Sequence, residues 1–107
     1  MNFYTHEQAH VEIAGTQLVG TIQATPAEML AAFGPPLFDV QPGVVSVEWR
    51  IMFEDGTVCT FYDWKELTRP MIGDVTAWRI GSNECDGHHL AHEAFRNALR
   101  TGIKQAA

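Results

Sequence analysis

The chain has 107 residues, a net charge of −6, 46% apolar residues, three Trp and six Phe, a composition that suits one folded domain over residues 1–107 and argues against extended disorder. Its acidity argues against nucleic-acid binding, which draws affinity from clustered cations, and no apolar stretch approaches the length of a membrane span. No basic segment followed by an apolar run opens the chain, so the expected location is the cytoplasm.

The charge is uneven. No Lys or Arg precedes Arg50, whereas Glu7, Glu12, Glu28, Asp39 and Glu48 do, and the last stretch carries Arg96, Arg100 and Lys104 without an acid. The cationic end complements a helix dipole. The two cysteines, Cys59 and Cys85, lack metal-like or redox-like spacing and are expected as a reduced core thiol and a reduced loop thiol.

In chain order, residues 10–14 (HVEIA) and 17–23 (QLVGTIQ) alternate around Gly15-Thr16, which predicts a first hairpin. Thr25-Pro26-Ala27-Glu28 is a helix start: Thr caps, Pro suits the first helical position, and Glu closes a capping box. Gly34 ends this helix, predicted over 26–33 with Met29, Leu30 and Phe33 as its buried side, and 34–43 (GPPLFDVQPG) reads as loop.

Residues 44–54 and 57–64 alternate on either side of Asp55-Gly56, a hairpin signal. A two-residue loop there sets Phe53 opposite Val58, Ile51 opposite Thr60, Trp49 opposite Tyr62 and Val47 opposite Trp64 as the core face. The other face then carries Glu48, Arg50, Met52, Cys59, Phe61 and Asp63. An apolar centre with an aromatic and an arginine inside a charged rim is interface composition, so these six residues are the candidate partner-binding or self-association surface. The competing expectation is that the C-terminal helix covers this face as a second core layer.

Residues 75–81 (VTAWRIG) predict another strand, and 88–101 a helix whose Leu90, Ala91, Ala94, Phe95, Ala98 and Leu99 share a stripe, with Gly102 as its stop. The fold class is therefore α+β: a mainly antiparallel sheet of two hairpins and a further strand, with a short helix and a C-terminal helix.

Chemistry-bearing patterns are sparse. His88 and His92 stand four apart on one helix face with Cys85 and Asp86 before them, a spacing two imidazoles can use on a metal, but HExxH is missing and the histidines read as helix-start and packing residues. His6 and His10 share the spacing near the N-terminus. Cys59 has no basic neighbour to activate it, and no serine elbow or phosphate loop is present. Neither a catalytic residue nor a metal ligand nor a cofactor is expected.

The segments GTQLVG (15–20), AAFGPP (31–36), EWRIMFEDGTVCTFYDWKE (48–66) and WRIGS (78–82) resemble a group of small uncharacterised bacteriophage proteins with the pattern GTxLxG, FGxP, WxIxFxDGTxxTxYDWK, WxIGG. Ser82 departs from it, standing where the second glycine of the last motif falls. No activity comes with the resemblance. It implies a phage accessory protein that binds and inhibits a host defence protein in the bacterial cell. A small-ligand or nucleotide-signal sequestering protein is the alternative, with a cleft formed by the 34–43 loop and the aromatics, and a metal-dependent enzyme is a further one.

Overall fold

The computed structural model describes residues 2–41, 45–63 and 77–106. Six strands, β1 (Phe3–Thr5), β2 (Gln17–Gln23), β3 (Leu37–Gln41), β4 (Val45–Phe53), β5 (Val58–Tyr62) and β6 (Ala77–Ser82), and two helices, α1 (Pro26–Phe33) and α2 (Gly87–Ala106), make an α+β fold. The strands run antiparallel in the order β1-β4-β5-β6-β2, with β3 also on β4. None of the helices among the described residues is long and apolar enough to cross a membrane.

α1 forms where its caps dictate. The Thr25 hydroxyl accepts from the Glu28 N–H at 3.1 Å, the Glu28 carboxylate accepts from the Thr25 N–H at 2.8 Å, and Gly34 closes the helix at φ +78°. Met29 and Phe33 are buried, but Leu30 is half exposed. α2 presents Ala91, Ala94 and Phe95 to the interior and leaves His89, Glu93, Arg96, Asn97 and Arg100 outside; it continues through Gly102, which does not stop it.

Both helices lie on one face of the sheet and enclose its core. Phe33 stacks on Phe61 with centroids 4.7 Å apart, and Trp49 meets Trp78 edge-on at 5.1 Å. Each indole buries its body and donates its N–H to a carbonyl, Trp49 to Gly34 at 2.7 Å and Trp78 to Ala24 at 2.9 Å.

Two expectations about strands fail. Residues 10–14 form no strand, and β2 pairs with β6 rather than closing a first hairpin. Residues 37–41 are a strand inside the expected loop: the prolines flank β3 and so withhold no donor from its ladder.

The central hairpin forms with a different register. Phe53 and Thr57 close the loop, with the Phe53 N–H on the Thr57 carbonyl at 2.8 Å and the Gly56 N–H on the Phe53 carbonyl at 2.9 Å. Three residues turn the chain instead of two, Gly56 taking φ +91° as the left-handed third position, and the Asp55 carboxylate accepts the Thr57 N–H at 2.9 Å. That hydrogen bond holds the Asp55 carboxyl below its usual range. Trp49 therefore opposes Phe61, and Ile51 opposes Cys59, because one extra loop residue turns every β5 side chain over. Trp64, expected opposite Val47, lies outside the described residues. Gly56→Val places a β-branched side chain at that positive φ and is expected to lower stability by about 1–3 kcal/mol, read as a fall in the urea midpoint.

Candidate functional site

The corrected register divides the six candidate interface residues between two faces. Cys59 and Phe61 point to the helices and, like Asp63, are fully or almost fully buried, whereas Glu48, Arg50 and Met52 lie on the face opposite α1 and α2. Cys59 and Phe61 form no second layer: they join Trp49 and Ile51 in the one core under the helices, with Phe61 against Phe33 of α1. Burial pushes the Cys59 thiol up to about 11, and its sulfur sits 3.4 Å from the Gly87 carbonyl, so it is a packed thiol rather than a nucleophile. Asp63 ends β5 by accepting the Val47 N–H at 2.8 Å, continuing the ladder through its side chain.

On the face opposite α1 and α2 the register builds three cross-strand rows. Leu37, Glu48, Tyr62, Arg79 and Thr21 form one; Arg50, Thr60, Gly81 and Leu18 the next; Tyr4, Met52 and Val58 the third. Glu48 is buried, with its side chain 8% exposed, and its carboxylate accepts from the Arg50 guanidinium in an ion pair. That pair fixes Arg50 in one orientation on the face. Burial raises the Tyr62 phenol above its usual range, with Glu48 adding to the shift and Arg79 opposing it, as their shared row requires. Thr60 and Val58 are buried, so Tyr4, Arg50, Met52, Tyr62 and Arg79 stand partly exposed around a filled centre, with Leu18 and Thr21 exposed beside them on β2. Gly81 belongs to that filling, since a Cβ there would stand 2.6 Å from the Thr60 hydroxyl.

The N-terminus contributes more than its sequence suggests. The Tyr4 hydroxyl lies 3.6 Å from the Met52 sulfur, and His6 continues the pairing of β1 beyond Thr5. Its Nδ1 accepts from the Arg50 N–H at 3.3 Å and its Nε2 lies 3.1 Å from the Pro35 carbonyl, tying β1, β4 and the segment after α1 together. His10 Nε2 lies 3.8 Å from the Glu12 carboxylate, both side chains solvated.

The histidines of α2 lean on β2. His92 Nε2 is 3.0 Å from the Thr21 carbonyl; His88 packs over Gly20 and against His89, whose ring centroid is 3.9 Å away, and its Nδ1 is buried without a partner. Cys85 is exposed, 4.0 Å from the Asp86 carboxylate. No group of three His, Cys, Asp or Glu side chains among the described residues is arranged to hold a metal. A shallow cleft of about 320 Å³ lies between β2 and the turn into α2, lined by Leu18, Ser82, Asn83, Glu84 and Cys85 among others.

Neither a protein-family model nor a curated protein nor a solved structure matches the chain, so its functional reading rests on the residues of this sheet face and on the sequence pattern that runs through it.

Proposed function

We propose that the chain is a non-enzymatic phage accessory protein that binds a host defence protein in the bacterial cytoplasm and inhibits it, using the face of the sheet opposite α1 and α2. The observation that carries the reading is the composition of that face: two tyrosines, a methionine and an arginine held by a buried glutamate, partly exposed around a closed centre. Tyr, Met and Arg are enriched where proteins meet, and an arginine already fixed by its ion pair loses little freedom on binding. The nucleotide-sequestering alternative gains nothing from the cleft beside β2, whose charged lining residue is the carboxylate of Glu84.

Two variants with the same change of charge test the face. Met52→Lys places a charge in the apolar part of the face, and Asn97→Lys places one on the exposed side of α2. With a protein captured from bacterial lysate and then purified, Met52→Lys is expected to weaken binding tenfold or more, about 1.4 kcal/mol, while Asn97→Lys leaves it near the wild type. Stoichiometric addition of the wild-type chain should abolish the captured protein's activity. Equal loss in both variants, or an uninhibited partner, rejects the proposal.

A further inference from the structure

We infer that the outer edge of β2 pairs with the same edge of a second copy of this chain, joining two sheets across a two-fold axis. Among the described strands β2 ends the order and is hydrogen-bonded to β6, while the far side of β4 is occupied by β1 and β3. An edge strand presents a row of backbone donors and acceptors, which proteins commonly block along its length with Lys, Pro or inward charges, or locally with a bulge such as the irregularity between Leu18 and Gly20. β2 carries no Lys, Pro or charge: its sequence is QLVGTIQ, and Gln17, Leu18, Thr21 and Gln23 are exposed, Leu18 by 52%.

Two local features shape the contact. The register shift between Leu18 and Gly20 leaves Gly20–Gln23 as the regular segment that a neighbouring strand can follow. The His92 ring reaches the Thr21 carbonyl, and a carbonyl oxygen has a second lone pair for another donor.

Charge selects a second copy as the occupant. The chain carries −6, which opposes its approach to itself, yet no charged residue lies between Glu12 and Glu28, the span that contains β2. An antiparallel edge contact is also self-complementary, as an isologous dimer requires. A two-fold axis perpendicular to the sheet sets Thr21 opposite Thr21 of the second copy and Gly20 opposite its Ile22. One strand edge buries less than a standard interface, so the dimer is weak, with a dissociation constant on the order of 100 µM.

Sedimentation of the full chain up to about 1 mM tests this, together with amide hydrogen exchange at low and high concentration. The expected result is a reversible dimer, slower exchange over residues 19–23 as concentration rises, and a dissociation constant raised tenfold or more by Thr21→Glu but not by Asn97→Glu. A monomer at every concentration, a dimer indifferent to Thr21→Glu, or protection that appears on the Tyr4, Met52 and Tyr62 face instead would overturn the inference. The exchange measurement uses the wild-type chain and so stands even if Thr21→Glu folds poorly.

Discussion

Phe61→Ala is expected to remove about 3–5 kcal/mol from the unfolding free energy, seen as a fall in Tm on the order of 12 °C or more. Phe61 has no exposed surface, stacks on Phe33 and opposes Trp49 across β4 and β5. The space it vacates is bounded by α1 on one side and paired strands on the other, elements fixed by caps and ladders, so collapse into the cavity is limited. Tyr62, its neighbour in sequence, points the other way and is partly exposed; Tyr62→Ala should cost about 1–2 kcal/mol. The contrast between adjacent residues reports the register directly. A larger loss for Tyr62→Ala than for Phe61→Ala would mean that the hairpin closes with the two-residue loop after all.

That hairpin also shows where the sequence is silent. Both of its strands are legible from alternation, but VCTFY carries apolar groups at odd and even positions alike, and four of its five residues are buried. Period two cannot choose between faces when both are covered. Asp-Gly does not choose either, because a glycine with positive φ serves a two-residue loop and the third position of a three-residue loop equally well. The choice falls to tertiary packing: the observed register sets Cys59 and Phe61 under the helices, with Trp49 and Ile51 beside them.

By contrast α1 is readable to the residue, since Thr25, Pro26, Glu28 and Gly34 act within one or two turns of themselves. β1 is three residues long and has no period to detect, so Tyr4 escapes notice and His6 is read only as half of a histidine pair. The candidate face was therefore half visible. Glu48, Arg50 and Met52 follow from alternation within β4, whereas Tyr62, Arg79 and Tyr4 join them only through pairings between distant segments.

Gly87→Ala carries the second large effect, an expected loss of about 3 kcal/mol, at the upper end of what overpacking costs. Gly87 is not among the glycines with positive φ, so alanine suits its backbone and helix propensity alone favours the change. Space forbids it. A Cβ at this position would lie 2.0 Å from the Ser82 hydroxyl oxygen and 2.4 Å from its Cβ, with the Cys59 sulfur 3.7 Å away. Ser82 cannot retreat: it sits on β6, paired to Cys59 on one side and Gln17 on the other, and its hydroxyl accepts the Glu84 N–H at 3.1 Å in the turn that leads into α2. The first turn of α2 must lift from the sheet instead, loosening the seam where Ala91, Ala94 and Phe95 meet the core. Ser82→Gly removes both clashing atoms, so the double variant Gly87→Ala/Ser82→Gly should be more stable than the two single losses predict, by about 1 kcal/mol or more in a double-mutant cycle. Additivity within about 0.5 kcal/mol would show that α2 does not rest on β6 through this contact. Coupling of the expected sign would show that the absence of a side chain at residue 87 is what seats the helix against the sheet.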